Sequence, residues 1–291
     1  AINTDQIDDF LRNDIHITSS SMDKSSAISA AAVRLGITAK VHLKMDTGME
    51  RIGVHWYNAE RFISHALSLP GMDIKGLFSH LAKADSDPEF TGEQIRRFRD
   101  IAGFMESQNA LPELVHLSNS AGIMRYPEAR FTMVRPGIML YGYNPFGLFP
   151  DERFHGRKLL PAMTLKTRVA YFKVCPKDTG ISYNHTHVAN EQTRIVTLPI
   201  GYGDGYSRLL SNKGKVGIRG KIHTVVGNVC MDQLMVDIGP DGTAYNGDDV
   251  LLFGEMDGMT IPLESLCDAI GTITYEFLCN ISARVPRVYV D

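Results

Sequence analysis

The sequence has little of the features that define several specialised classes of protein. Cysteine occurs four times and tryptophan once, and no apolar run approaches the roughly 20 residues that a membrane-spanning helix needs. The cysteines form no CxxC pair, which argues against a disulfide framework or a zinc site and indicates reduced thiols in a cytosolic protein. The first residues, AINTDQIDDFLRND, are polar and acidic, unlike a secretory signal peptide.

The chain also lacks an excess of charge of one sign. It has 30 basic and 33 acidic residues, a formal net charge of −3, so the composition does not favour a nucleic-acid partner. With 44% hydrophobic and 22% charged residues, the composition excludes disorder and fibrous repeats. A length of 291 residues predicts two domains or one large α/β barrel.

Residues 1–146 alternate between short apolar runs and amphipathic stretches. The clearest helical stretch is Gly92–Ser107, which carries apolar residues at i, i+3, i+4 and i+7. Another helix is expected to begin at Asp23 and to end at Gly36. This alternation predicts βαβ units around a parallel sheet. The expected strands are Ile15–Thr18, Val41–Met45, Lys75–Ser79, Leu114–Leu117 and Thr132–Val134.

The pattern changes after residue 146. Residues 147–159 have no clear periodicity and are interpreted as a linker. From residue 160 to residue 291 the apolar residues alternate in twos, which predicts a mostly antiparallel β domain. The pair Arg219-Gly220 is typical of a two-residue hairpin turn, and only Leu263–Ile270 has a helical pattern in this half.

Polar residues follow several of the expected parallel strands. Any one of them is more simply a capping or loop residue, but functional residues of α/β barrels gather at the carboxyl ends of strands. Ser120, at a helix start, and Gly137, in a Pro-Gly turn, together suggest a phosphate site. The strand-end residues are Lys44, Asp46, Arg51, Ser79, His80, Ser118, Asn119, Ser120, Arg135 and Gly137.

Other motifs give weaker signals. The segment GYGDG at 201–205 fails the spacing of the dinucleotide fingerprint and of the P-loop. His185 and His187 are spaced as a metal pair would be, but no nearby cysteine or carboxylate completes a ligand set. Tyr183, Tyr202 and Met231 could equally be packing residues, and Asp232 a turn cap.

Eight segments, taken together and in order, closely resemble the pyridoxal-phosphate-dependent alanine racemases. The resemblance covers almost the whole chain and implies an α/β barrel followed by a mostly antiparallel β domain. It also implies a cytoplasmic enzyme that interconverts L- and D-alanine and supplies D-alanine for peptidoglycan. The segments are VHLKMDTGMERIGV, GLFSHLAKAD, HLSNSAG, MVRPGIMLYG, ISYNHTH, LPIGYGDGYSR, VGNVCMDQLMVDIG and YEFLCNISARVPR.

The resemblance assigns a role to each matched position. Two bases act on opposite faces of the substrate: Tyr183 on one face and the lysine that holds the cofactor on the other. Arg135 faces the pyridine nitrogen and His80 lies between Arg135 and Tyr183, whose phenolate would need cationic neighbours because a free tyrosine has a pKa of about 10. The residues implied to hold the cofactor phosphate are Ser120, Gly137, Ile138 and Tyr275.

The resemblance also describes the substrate side. Arg51 is implied to meet the cofactor ring oxygen and the substrate carboxylate, and Lys44 matches a position that is a carbamylated lysine in many relatives. Met231, with Asp232 beside it, would contact the substrate carboxylate, and Tyr202 would line the entry. Tyr183 and Met231 come from the other subunit in this family, so a homodimer with shared active sites is implied.

One family motif is absent from the sequence. The cofactor-lysine segment, of the type VKANAYGHG, has no match among the 291 residues. About five parallel strands are expected where a closed barrel has eight. Three further βα units would add roughly 90 residues, so we expect this chain to begin inside the barrel and to be inactive alone.

Three alternatives stay open at this point. The chain could belong to a serine or broad-spectrum amino-acid racemase, because the residues around Tyr202 and Met231 set substrate size. It could be a non-catalytic relative that binds pyridoxal phosphate, although intact Tyr183, His80 and Arg135 argue against this. It could also be a domain of a fused cell-wall enzyme or of a membrane-anchored racemase.

Overall fold

The computed structural model describes residues 3–147 and 155–290. The described residues form two compact units: 3–140 with 155–158, and 141–147 with 159–290. The expected linker at 147–159 falls largely on residues 148–154, which lie outside the described residues.

The first unit contains alternating strands and helices. Its helices are α1 (Ile7–Arg12), α2 (Met22–Leu35), α3 (Ala59–Ser68), α4 (Pro88–Ser107) and α5 (Ser120–Arg125). Its strands are β1 (Ile17–Ser19), β2 (Ala39–Asp46), β3 (Val54–His55), β4 (Met72–Phe78) and β5 (Leu114–His116).

These strands form one parallel five-stranded sheet. The order is β1-β2-β4-β5, and β3 pairs with the end of β2 through Met45 and Asp46. The expected strand at Thr132–Val134 is wrong, because only a single bridge between His116 and Met133 forms there. Parallel pairing brings the carboxyl ends of β2, β4 and β5 to one edge, which is where the polar residues follow.

Local capping sets the ends of the helices. The Ser21 side chain accepts a hydrogen bond from the Lys24 N–H at 3.1 Å, so α2 begins at Met22 and Asp23 lies inside its first turn instead of capping it. Gly36 ends α2 with φ of 65°, in the left-handed conformation that glycine adopts without strain. Helix α4 begins at Pro88, four residues earlier than its periodicity predicts, with Asp87 as its cap.

The core of the first unit lies between the sheet and the helices. Strand β2 buries Val41, Leu43 and Met45 completely, and these alternate residues lie on one face of the sheet. Helix α3 buries Phe62 and Ile63 completely along one face. The core therefore fixes the backbone of β2 up to the point where its functional residues begin.

The second unit is antiparallel, as the alternation in twos predicts. Its strands are β6 (Leu165–Arg168), β7 (Tyr171–Cys175), β8 (Gly180–Ile181), β9 (His187–Val188), β10 (Thr193–Leu198), β11 (Lys215–Ile218), β12 (Lys221–Val226), β13 (Leu234–Asp237), β14 (Asp249–Met256) and β15 (Met259–Ile261). Eight of them form one sheet in the order β15-β14-β11-β12-β13-β10-β7, with β6 paired to β14, while β8 and β9 form a separate pair.

The hairpin turn expected in this unit forms, but the expected number of helices does not match. Arg219 and Gly220, both with positive φ, join β11 to β12 as the predicted two-residue hairpin turn. The expectation of a single helix is wrong, because α7 (Thr274–Asn280) follows α6 (Leu263–Ile270). Gly271 breaks the helical pattern between them with φ of 71°.

The cysteines and the lengths of the helices bear on the class of protein. All four cysteines are free, in agreement with the reduced thiols that their spacing predicts. Among the described residues, no helix is both long and apolar enough to span a membrane.

Candidate functional site

Arg135 lies at the centre of the polar strand ends of the first unit. Its guanidinium donates to the carbonyl oxygens of Ser79 at 2.7 Å and Leu117 at 3.1 Å, and to His116 Nδ1 at 2.5 Å. Nη2 lies 3.4 Å from His80 Nδ1. Because these partners come from the ends of β4 and β5, the sheet itself orients the guanidinium.

Burial lowers the pKa values of the basic side chains at this edge. Burial, followed by the nearby charge of Arg135, lowers the pKa of Lys44 to about 8. Burial lowers the pKa of Arg135 to about 10, so the guanidinium stays charged at neutral pH. Burial and then Arg135 lower the pKa of His80 to about 4, so this imidazole is neutral at pH 7.

An aromatic ring lies beneath the two buried cations. Lys44 Nζ is 4.6 Å from the centre of the Phe78 ring, and the Arg135 guanidinium carbon is 5.5 Å from it. His116 stacks on the same ring with a centroid distance of 4.7 Å. Cation–π contact offsets part of the cost of burying positive charge, so Phe78 helps to hold two cations close together.

A chain of three histidines that were not predicted as site residues extends from Arg135. His116 Nε2 lies 3.1 Å from His42 Nδ1, and His42 Nε2 lies 2.9 Å from His16 Nδ1. Since Arg135 donates to His116 Nδ1, His116 must donate through Nε2, and the same tautomer follows for His42. Strand periodicity could have identified His42, which lies two residues before Lys44 on the same face of β2.

Asp46 organises the turn that carries Arg51. Its carboxylate accepts backbone N–H groups from Gly48 at 2.8 Å, Met49 at 2.9 Å and Arg51 at 3.3 Å. Burial raises the pKa of Asp46, but these backbone donors lower it by more, and its pKa lies below its usual value. The carboxylate is therefore ionised at neutral pH and fixes the path of the chain after β2.

Ser120 and the turn at Gly137 are in direct contact. The Gly137 N–H donates to Ser120 Oγ at 2.9 Å, and the Met139 N–H approaches the same oxygen at 3.4 Å. Ile138 begins the helical turn between them. Asn119, not Ser120, caps α5 through the Gly122 N–H, so the Ser120 hydroxyl is left for this turn.

Gln94 supports the site from α4 and was also missed in the sequence. Its amide nitrogen donates to the His80 carbonyl at 3.1 Å and to Thr47 Oγ1 at 3.2 Å. The side chain is fully buried, and its oxygen accepts the Ala82 N–H at 2.8 Å. A polar residue on the apolar face of a helix is the sequence pattern that could have identified Gln94.

The remaining predicted site residues belong to the second unit. Tyr183 is 71% exposed and Met231 is 58% exposed, while Asp232 is also on the surface. Tyr202 and Tyr275 are exposed by 44% and 45%.

The glycine-rich segment 201–205 has a structural explanation. The Tyr202 N–H donates to the Cys230 carbonyl at 3.0 Å, and the Gly203 N–H donates to the Met231 carbonyl at 2.8 Å. A Cβ at Gly201 would lie 2.2 Å from the Cys230 oxygen, so glycine is required there. The segment therefore brings Tyr202 beside Met231.

The two histidines considered as a metal pair do not share a strand. His185 ends a helical turn with φ of 46°, whereas His187 begins β9. Within residues 3–147 and 155–290, no group of three or more His, Cys, Asp or Glu residues is arranged to hold a metal ion.

The fold and the first-unit site define a two-domain protein with a parallel α/β domain, a cation-rich strand edge and an antiparallel β domain. Residues 1–145 match the family model of the alanine racemase N-terminal domain, and residues 162–289 match that of the C-terminal domain. The chain belongs to the alanine racemase family. The fold class and the family expected from the sequence are therefore confirmed.

Individual relatives agree with the family models. An alanine racemase of Desulforamulus reducens is 43% identical over 99% of this chain and 77% of its own length, and one of Carboxydothermus hydrogenoformans is 45% identical over 88% and 69%. The solved structure of an alanine racemase from Clostridium difficile 630 superposes with a TM-score of 0.91 at 37% identity, covering 100% of this chain and 75% of that one.

Proposed function

We propose that this chain interconverts L- and D-alanine as part of a pyridoxal-phosphate-dependent racemase. The observation that carries the proposal is the pair of buried cations Lys44 and Arg135 beside the neutral His80, found at the strand ends of a domain that belongs to the alanine racemase family. A cytoplasmic location and a supply of D-alanine for peptidoglycan belong to the same proposal.

The residues present fit a phosphorylated cofactor. Burial lowers the pKa of Arg135 to about 10, and an anionic cofactor near this guanidinium would relieve part of the cost of burying its charge. The Ser120 hydroxyl oxygen accepts the N–H groups of Gly137 and Met139, which leaves its own proton to donate to a phosphate oxygen. We assign the phosphate to Ser120, Gly137 and Ile138, and the family resemblance adds Tyr275 to this set.

Pyridoxal phosphate, when bound, supplies an electron-accepting ring that stabilises the charge left when the substrate loses its α-proton. Arg135 would face the ring nitrogen and, as a permanent donor, keep a proton off it. Its four contacts to the sheet and to His116 hold it in place for this role. Arg51, on the turn that Asp46 fixes, would meet the ring oxygen and the substrate carboxylate.

Tyr183 is proposed as the base that exchanges a proton with the substrate on one face. His80 is neutral at pH 7, because burial and Arg135 lower its pKa to about 4, so Arg135 supplies the positive charge in this proposal and His80 relays hydrogen bonds. The second base would be the lysine that holds the cofactor, and none of the 291 residues matches the motif of that lysine.

Lys44 is proposed to be carbamylated. Carbamylation joins the neutral amine to carbon dioxide with loss of a proton, and a lysine with a pKa of about 8 has a neutral fraction at physiological pH. The carboxylate formed would lie beside Arg51 and Arg135 and convert a repulsive contact into an attractive one. This charge reversal would orient Arg51.

The proposal includes a homodimer with shared active sites that takes a small amino acid. Tyr183, Met231 and Tyr202 are exposed in one chain, and a second chain would cover them. Met231 would bind the substrate carboxylate through its backbone N–H, with Asp232 beside it. Tyr202, held next to Met231 by its backbone, would line the entry.

Racemisation of L-alanine by the natural protein that contains this chain tests the proposal. Tyr183→Phe should lower the rate by at least about 100-fold, because it removes a positioned base. Tyr171→Phe, at an exposed strand position, is the matched control and should keep the wild-type rate. Rates with serine that exceed those with alanine would favour a serine racemase, and binding of pyridoxal phosphate without turnover would favour a non-catalytic relative.

A further inference from the structure

The loop that carries Tyr183 has an unusual backbone. Ser182, Asn184 and His185 have φ of 63°, 60° and 46°, so three of four consecutive residues have positive φ without being glycine. Such residues are uncommon, and a cluster of them persists only when the surrounding structure holds it. Hydrogen bonds with Asn228 and Asn212 hold this loop.

Asn228 clamps the first half of the loop. The Ser182 hydroxyl donates to the Asn228 carbonyl at 2.6 Å, and the Asn228 amide nitrogen donates to the Tyr183 carbonyl at 2.7 Å. Asn228 is buried, although its neighbours in the loop are exposed. A Cβ at Gly227 would lie 2.6 Å from Ser182 Cβ, so glycine at 227 is what allows this close approach.

Asn212 clamps the other half. Its amide nitrogen donates to Thr186 Oγ1 at 3.1 Å, and its amide oxygen accepts the Gly227 N–H at 2.6 Å. The same side chain therefore ties the far end of the loop to the residue before Asn228. Tyr183 therefore lies between Ser182, which Asn228 holds, and Thr186, which Asn212 holds. The two asparagines flank the hairpin of β11 and β12.

The side chain of Tyr183 has little else to orient it within the chain, since it is 71% exposed. We propose that Asn228 is a positioning residue for Tyr183, with Asn212 as its counterpart at the other end of the loop. Asn228 acts by fixing the Tyr183 carbonyl, and hence the direction in which the phenol leaves the backbone. This inference rests on the proposed role of Tyr183 as a base.

Asn228→Asp tests the inference, because it keeps the shape of the side chain and removes the N–H donor. Asn228→Ala and Asn212→Ala remove one clamp each, and Asn190→Ala, at an exposed position after β9, is the matched control. Hydrogen exchange of a peptide covering residues 180–188 should quicken at least several-fold in the clamp variants and stay unchanged in the control. Exchange in the remaining strands of the unit should not change.

In the racemase that contains this chain, the clamp variants should lose about tenfold or more in kcat, with the KM for alanine and the affinity for pyridoxal phosphate nearly unchanged. Wild-type exchange in the 180–188 peptide, or faster exchange with an unaltered kcat, would overturn the inference. If the Asn228 variants do not fold, Ser182→Ala is used instead, and the same two quantities are measured: hydrogen exchange of the 180–188 peptide and kcat. Retained activity in Tyr183→Phe would instead reject the proposed base, whatever the clamp variants do.

Discussion

Arg135 donates a hydrogen bond of 2.5 Å to His116 Nδ1, and this contact joins two segments that lie 19 residues apart in the sequence. It fixes both the guanidinium and the tautomer of a buried imidazole. Burial, and then the charge of Arg135, lower the pKa of His116 to about 3, so His116 accepts this bond as a neutral ring. The site therefore holds the positive charges of Arg135 and Lys44 beside the neutral imidazoles of His80 and His116.

The stability of the chain should depend on pH through His116. In the unfolded chain this imidazole takes up a proton below about pH 6.5, whereas in the folded chain it does so only near pH 3. The free energy of unfolding should therefore fall as the pH falls from 6.5 towards 4, by something on the order of 2 kcal/mol from this group. Urea denaturation across this range measures it.

His116→Asn is the matched variant for this pH dependence. It keeps a short polar side chain toward Arg135 but does not titrate, so its curve should be shallower between pH 4 and 6.5. His80 and His42 also have pKa values lowered by burial and add slope in the same direction. An unchanged slope in His116→Asn would contradict the assigned pKa direction.

Ser120→Ala should weaken binding of pyridoxal phosphate. The substitution removes the hydroxyl on which the N–H groups of Gly137 and Met139 converge. Loss of one such partner costs about 1–2 kcal/mol, or roughly a tenfold loss of affinity. Fluorescence titration with the cofactor measures the change, and Ser86→Ala, at an exposed position, should bind as the wild type does.

Lys44 should carry a carbamate that responds to pH. With ¹³C-bicarbonate, a carbamate signal should grow as the pH rises through about 8, where the Lys44 amine loses its proton. Lys44→Gln should abolish the signal. Lys40→Gln, which removes an exposed lysine paired with Asp14 at 2.8 Å, should leave it intact. A signal that survives in Lys44→Gln would assign the carbamate elsewhere.

Asp46→Asn should loosen the turn after β2. The carboxylate accepts three backbone N–H groups, and the neutral amide replaces charge-assisted bonds with weaker ones. The free energy of unfolding should fall by about 1–2 kcal/mol, measured by urea denaturation. The KM for alanine should also rise, because Arg51 depends on this turn. A KM for alanine equal to that of the wild type would show that Asp46 does not position Arg51.

Much of the fold follows from local sequence signals. The 3.6-residue periodicity of α4 and the turn at Arg219-Gly220 depend on neighbouring residues, and both form as predicted. The errors occur where tertiary contacts compete with local preference. Thr132–Val134 has the composition of a strand, but Thr132 Oγ1 accepts the Val115 N–H, and the segment pairs with β5 through one bridge alone.

The sequence by itself determined the order of the elements, the division into a parallel and an antiparallel half, and the residues that follow the strands, because periodicity and turn chemistry are local. Tertiary structure decided which of those residues meet. His42, His116 and Arg135 come together because parallel strands align their carboxyl ends, and Asn228 reaches Tyr183 across 45 residues because Gly227 allows the two backbones to approach. Distances of this kind have no local signature, since they depend on how separate segments pack.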